Sequence, residues 1–407
     1  MKKILFAVVL VISVLASYGE SPQPLHVEGK NIVKADGEKF FIRGTNLGNW
    51  LNPEGYMFGF HRATSPHMIN DVFSQILGPD GAADFWKGFK ENYITAEDVN
   101  FIASTGANTI RLPFHYKLFT YEDYMGMNDP AEGFRMIDKV VDWCRDAGLY
   151  LILDMHDAPG GQTGDNIDDS YGYPWLMTNK KSQDKFCYIW HQIAERYKDE
   201  PVILGYELIN EPVATYFGEE EKELNRNLVE VLRKGLASIR EADKNHIVLI
   251  GSPQWNSNFA PLEGVDFNDG NIIYTCHRYG GDATAEAIKS YIDFRDASGF
   301  PMYMGEIGHN TNEWQDAFSK VMTANNIGYT FWPYKKCNDS CMNAFLLPEG
   351  WEKIAAFADG PRGSYGEVRD NVPDRKEAAT ALNGLLENIR FTNCKPQADY
   401  IRSMNLK

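Results

Sequence analysis

The sequence predicts an α/β protein folded as a (β/α)8 TIM barrel with loop insertions. Three observations carry that prediction. Short β-rich runs recur at 40–44, 108–112, 150–154, 202–208, 247–250, 272–276, 301–304 and 328–331. Most are separated by amphipathic stretches of helical period, at 96–104, 134–147, 183–197, 221–241, 285–297 and 313–324. The polar residues that stand out come after many of these runs instead of one. Strands alternating with helices mark parallel βαβ units. An open doubly wound sheet also accommodates eight strands, but such a fold often carries a Gly-rich phosphate loop after its first strand. Here the first run ends in Gly44-Thr45-Asn46-Leu47-Gly48, without that fingerprint. A closed barrel gathers residues from several strand ends on one face, as this distribution requires.

At the N-terminus, Lys2 and Lys3 precede an apolar run over 4–16, then Ser17, Tyr18 and Gly19. This is the layout of a secretory signal, and the run is short of the roughly 20 residues a membrane span needs. Residues 1–20 are therefore expected to be a signal peptide and 21–407 a single domain, secreted or periplasmic, with no membrane span in the mature protein. A chain of 407 residues suits two average domains, yet one decorated barrel reaches that length. Residues 25–41 hold short apolar stretches broken at Asp36-Gly37, a hairpin signal. After Ile250 only a loop with a turn is expected, and 375–389 is expected to be the closing helix. Six cysteines are too few for a disulfide scaffold. Cys144 and Cys187 sit in half-apolar helical segments and read as buried thiols. Cys337 and Cys341 flank Asn-Asp-Ser in a loop, where a small disulfide and two free thiols are equally compatible with the spacing.

The net charge of −16 argues against nucleic acid as a partner, because a phosphate backbone needs clustered Lys and Arg. The many Trp, Tyr and Phe residues fit a large aromatic core, and equally a cleft whose rings stack on sugars.

The residues that close each strand carry the chemistry. The second run ends at Arg111, the third at His156 and the fourth at Asn210-Glu211-Pro212. The sixth ends at His277-Arg278-Tyr279, the seventh at Glu306 and the eighth at Trp332. A single Glu at a strand end is ordinarily a cap or an ion-pair partner. Two of them converging on one barrel mouth form the pair of carboxyl groups that glycosidic bond cleavage requires.

These motifs resemble glycoside hydrolase family 5, the cellulase family of retaining β-glycanases. Ile209-Asn210-Glu211-Pro212 is similar to the family's acid/base motif, and Met304-Gly305-Glu306 to its nucleophile motif. Arg111, His156, Asn210, His277, Tyr279 and Trp332 match the rest of its active centre, in order and each at a strand end. Within the family, the stretch from Gly44 to Glu54 and Asp154-Met155-His156-Asp157-Ala158-Pro159-Gly160 resemble the exo-β-1,3-glucanase branch. Gly161-Gln162-Thr163-Gly164-Asp165-Asn166 departs from it, and residues 56–86 have no counterpart there.

The resemblance implies a catalytic domain without cofactor or metal, working by double displacement on a β-glucan or β-glucoside. Glu306 would attack the anomeric carbon, paired with Arg111 and hydrogen-bonded by Tyr279. Glu211 would be acid/base, raised by nearby negative charge and partial burial. Asn210 would bind the sugar 2-hydroxyl, His156 and His277 would bind and orient, and Trp332 would be the platform beneath the reacting sugar. Glu54, carried at the barrel mouth as a charged acceptor, would favour a terminal sugar, with 56–86 walling off the same side. Tyr173, Trp175, Trp255 and Trp314 read equally as loop packing or as further sugar subsites. Asp165, Asp168 and Asp169 lack EF-hand spacing and read as a solvated loop that reaches sugar hydroxyls. An endo-acting cellulase or a β-mannanase on the same scaffold is the rival within enzymes, and a carbohydrate-binding protein that keeps the cleft is the rival outside them. The expected partner is a carbohydrate alone, bound by a monomer.

Overall fold

The computed structural model describes residues 22–337 and 339–407, so the expected signal segment lies outside the described residues. Among those residues, no helix is long and apolar enough to cross a membrane. Eight strands build the centre: β1 (Arg43–Asn46), β2 (Thr109–His115), β3 (Tyr150–Asp157), β4 (Ile203–Glu207), β5 (Ile247–Gly251), β6 (Ile272–His277), β7 (Met302–Gly308) and β8 (Gly328–Trp332). They pair in parallel, in the order β7-β8-β1-β2-β3-β4-β5-β6, and close on themselves. Runs such as Ile247-Val248-Leu249-Ile250 lack alternation because both strand faces are covered, one by the barrel interior and one by helices.

The expected helices appear, with Ala96–Ser104, Glu132–Ala147, Lys180–Tyr197, Glu221–Ala242, Lys289–Ser298 and Asn312–Ala324 packed around the barrel. The first barrel strand is displaced from the expected 40–44. The Asp36-Gly37 turn returns Lys39–Phe40 to a small antiparallel sheet with Leu25–Glu28 and Asn31–Lys34. One apolar run thus feeds two sheets. Leu25 and Ile32 of that small sheet join Ile152, Leu204, Leu249 and Tyr303 in a separate apolar cluster, which plugs the barrel.

The segment without a counterpart folds as a 3-10 turn, Gly55–Phe58, and two helices, Pro66–Leu77 and Pro79–Tyr93. Its aromatic residues meet Trp351 of the helix Trp351–Asp359: Phe60 stacks on Trp351 with centroids 5.9 Å apart, and Phe73 meets Phe85 edge-on at 4.8 Å. The helix Arg375–Asn388 packs on Pro79–Tyr93 within this annex and does not close the barrel. That place goes to Ala398–Ser403, which packs on Asn312–Ala324. There the Tyr329 hydroxyl of β8 donates to the Met404 and Asn405 carbonyls. An amphipathic pattern specifies a buried face, not the surface that buries it. No disulfide forms among the described residues, so Cys337 and Cys341 are not joined to each other.

Candidate active site

Arg111, fully buried on β2, organises the centre of the barrel mouth. Its Nη1 donates to Glu306 Oε1 at 2.7 Å and to Asn46 Oδ1 at 3.0 Å. Its Nε and Nη2 grip both oxygens of Glu207 at 2.7 and 2.9 Å. Nη2 also donates to Asn210 Oδ1 at 2.8 Å and lies 3.0 Å from Asp154 Oδ2. One guanidinium thus faces three carboxyls, a geometry that its planar fork permits and an ammonium does not. Burial pushes Asp154 up to about 7 and raises Glu207 as well, against the pull of Arg111.

Glu306 reaches the mouth through an irregularity. The register of β7 against both neighbours shifts after Met304, a bulge that re-aims the side chain. Its second oxygen accepts a short hydrogen bond from the Tyr279 hydroxyl. Glu211 accepts from His277 Nδ1 at 2.8 Å, and His277 Nε2 faces the Asn256 amide nitrogen at 3.2 Å. Burial, then the charge of Glu306, pushes Glu211 well above the ordinary carboxyl range. His156 donates from Nδ1 to Asp154 at 2.7 Å, and its Nε2 accepts from Asn210 Nδ2 at 3.2 Å. Burial lowers His156 to about 3 and His277 well below its ordinary value, so both rings are neutral. Asn210 spends its oxygen on Arg111 and one N–H on His156, which leaves one N–H to donate.

Oxygens of Glu211 and Glu306 and a ring nitrogen of His277 all lie within 4.8 Å of one another. A metal ion needs lone pairs, however, and the His277 ring is already engaged through one nitrogen with Glu211 and through the other with Asn256. The trio reads as a hydrogen-bonded unit.

A cavity of about 280 Å³ opens over these groups, lined by Glu54, Tyr56, His156, Ile167, Glu211, Tyr279, Glu306, His309 and Trp332. Trp332 lies parallel to His156, with ring centroids 5.2 Å apart. Gly48 makes room for it, since a Cβ there would fall 2.7 Å from the indole. The indole N–H donates to the Tyr56 hydroxyl at 2.7 Å, so the 3-10 turn of the annex does wall the cavity. Glu54 is 4% exposed, and its Oε1 has no hydrogen-bond partner among the described residues. Burial, then Glu306, raises it to about 8. At neutral pH it is a neutral carboxylic acid that can donate as well as accept, and not the charged acceptor expected from sequence.

Each residue that the resemblance placed in the active centre lies at this site. Asn46, Asp154, Glu207, Tyr56, His309 and Asn256 were missed as site members. Asn46 and Asp154 stood inside the strand-end motifs. Glu207 is the last residue of β4, three residues ahead of the Asn210-Glu211 motif, and no motif flags it. The acidic loop departs from expectation. Asp168 is 1% exposed and accepts from Thr163 N, Gly164 N, Ser170 N and Ser170 Oγ. The Asp169 side chain is buried between His67 of the annex and His115. These carboxylates staple loops and do not face solvent. Trp314 is in a helix and stacks on Phe318 at 4.5 Å, so it is packing. Tyr173 packs on Trp175 and Phe217, while Trp255 meets the exposed Tyr216.

Comparisons with known proteins agree with this geometry. Over 303 residues the chain is 29% identical to a beta-xylosidase of Phanerodontia chrysosporium, covering 70% of this chain and 61% of that protein, less than two thirds of its length. It is 24% identical over 334 residues to Endoglucanase C of Acetivibrio thermocellus, covering 67% of this chain and 93% of the relative. It is 28% identical over 277 residues to a probable glucan 1,3-beta-glucosidase A of Aspergillus terreus, covering 67% and 63%. Residues 74–338, more than half of the chain and most of the barrel, match the family model described as Cellulase (glycosyl hydrolase family 5). On that match, and with a closed eight-stranded barrel beneath it, the chain belongs to the cellulase family, glycosyl hydrolase family 5.

Proposed function

We propose that the protein is a retaining β-glycoside hydrolase that acts on β-glucan or β-glucoside chains, with Glu306 as nucleophile and Glu211 as acid/base. The observation that carries this reading is the close approach of the two carboxyls, one oxygen of each lying within 4.8 Å of one on the other. Retaining enzymes hold the pair about 5–5.5 Å apart, whereas inverting ones leave roughly 6.5–9.5 Å for a water. Glu306, bonded by Arg111 and Tyr279, attacks the anomeric carbon while Glu211 gives its proton to the departing oxygen. The glycosidic bond breaks and an ester to Glu306 forms. The negative charge of Glu306 is then gone, so Glu211 holds its next proton less tightly and takes one from water. That water attacks the same carbon and frees Glu306. The remaining N–H of Asn210 is placed for the sugar 2-hydroxyl, and Trp332 forms the platform.

The test is a 2-deoxy-2-fluoro glucosyl fluoride, whose sugar should remain attached to Glu306 and be found there by peptide mass analysis. Attachment elsewhere, or an α-configured first product from a β-substrate, contradicts the assignment.

Exo action is the finer proposal. The unpartnered Glu54 oxygen and the Tyr56 wall favour a terminal glucose in the cavity, because a buried carboxyl left unpaired is costly. Single glucose should then leave oligosaccharide ends, and the viscosity of a long β-glucan should fall slowly relative to reducing ends. The endo reading draws on the likeness to Endoglucanase C; a rapid viscosity drop with mixed oligosaccharides would select it. Export to the periplasm or medium rests on the Lys2-Lys3 start and the apolar run alone. Confinement to the cytoplasm would refute export, and intact Met1 on protein recovered outside the cell would refute cleavage of the segment.

A further inference from the structure

Asn210 and Glu211 are neighbours in sequence, and both serve the same site. Asn210 bonds Arg111 and His156, and Glu211 bonds His277 and lines the cavity. In extended backbone, successive side chains point to opposite faces. The chain therefore leaves the extended conformation here: Glu211 has φ 42° and Val213 φ 52°, left-handed values that residues with a Cβ resist. Strain of this kind persists only where its surroundings hold it.

The holding contacts come from one stretch of the loop after β3. Thr163 is fully buried, and its hydroxyl donates to the Glu211 carbonyl at 2.7 Å. Its own carbonyl accepts from Ala214 N at 3.0 Å, and the Gln162 carbonyl accepts from Val213 N at 2.9 Å. The Gln162 amide donates to the carbonyls of Asn210, at 3.0 Å, and His156, at 2.6 Å. Thr163 is fixed in turn by Asp168, whose Oδ2 accepts from Thr163 N at 2.8 Å and Gly164 N at 2.6 Å.

We infer that Thr163, anchored by Asp168, is a positioning residue for the acid/base: it holds the left-handed turn that aims the Glu211 carboxyl at the glycosidic oxygen. This rests on the reading of Glu211 as acid/base. Thr163 acts through that backbone alone, so its loss should matter where the leaving group needs a proton and not where it departs unaided.

The test compares Thr163→Val and Thr163→Ser with wild type on an alkyl β-glucoside and a 2,4-dinitrophenyl β-glucoside. General acid assistance is worth about 10²–10⁴-fold. Thr163→Val should lose about tenfold or more of kcat/KM on the alkyl substrate, a part of that assistance. Its kcat/KM on the dinitrophenyl substrate, and the rate at which the 2-deoxy-2-fluoro glucosyl fluoride labels Glu306, should stay within about twofold, because both leaving groups depart without acid help. Thr163→Ser, which keeps the donor, should restore the alkyl activity. If Thr163→Val does not fold, Asp168→Asn takes its place in the same assay. Equal losses on both substrates, or none on either, overturn the inference. Glu211→Ala run alongside separates the two readings. If it shows no dependence on leaving group, the acid/base assignment fails; if it does and Thr163→Val does not, only the positioning role fails.

Discussion

The two carboxyls at the barrel mouth are held in opposite ways. Glu306 stands on a barrel strand, turned inward by a one-residue bulge and gripped by charge and hydrogen bond from Arg111 and Tyr279. Glu211 stands beyond the end of β4, on a left-handed turn braced by a neighbouring loop, with a neutral imidazole as its side-chain partner. Each left-handed residue with a Cβ costs about 1–2 kcal/mol. The difference suits the two tasks proposed for them. A nucleophile needs a fixed position and a counter-charge, whereas an acid/base must keep its proton at one step and yield it at the next.

Removing each carboxyl in turn should separate the two tasks most strongly. Glu306→Ala should abolish turnover on every substrate. Glu211→Ala should lose on the order of 10²–10⁴-fold on poor leaving groups, yet spare the first step with activated ones, and added azide should yield a β-glycosyl azide. An α-azide from that variant would reverse the assignment. Next in size is Arg111→Lys. One ammonium cannot satisfy Asp154, Glu207 and Glu306 together, so buried carboxyls lose their partner. A loss of about 3–5 kcal/mol in denaturant unfolding is expected, along with the activity. Retained stability would show that the three carboxyls do not depend on the fork.

The two carboxyls should also part in their response to pH. As the proposed acid, Glu211 would work when protonated, and its pKa is raised, so activity on poor leaving groups should fall as pH climbs through that raised value. The limb should be missing from the labelling of Glu306 by an activated fluoride; a limb common to both would place the titrating group elsewhere.

A smaller effect belongs to Glu54, whose folded value of about 8 exceeds the ordinary 4.5. A raised carboxyl contributes stability that is fully present below about 4.5 and lost as pH rises through about 8. Glu54→Gln removes that titration, so its Tm relative to wild type should climb between those two values, while terminal-glucose binding weakens. A flat difference would mean that the carboxyl is not held neutral. The smallest effect is expected for Asn256→Ala, which frees one His277 nitrogen. A cost of about 1 kcal/mol is expected, read as a several-fold loss in kcat on poor leaving groups with labelling of Glu306 unaltered. Equal loss in both would tie Asn256 to the whole mouth.

The eight strands and most helices were legible because burial on both strand faces writes unbroken apolar runs, and helices write a period of 3.6 residues. The site residues were legible where a polar residue closes such a run, as at Arg111, His156, Glu211 and Glu306. Tertiary structure alone decided that Arg375–Asn388 joins the annex and that Ala398–Ser403 closes the barrel. It also decided that Asp169 is a buried staple, that Glu54 is neutral, and that Thr163 meets the Glu211 carbonyl. The physical reason is common to all of these. A sequence pattern records whether a side chain is buried or exposed along its own element. The partner that satisfies a buried carboxyl, or the surface that covers an apolar face, comes from residues distant in the chain, and only closure of the barrel brings them together.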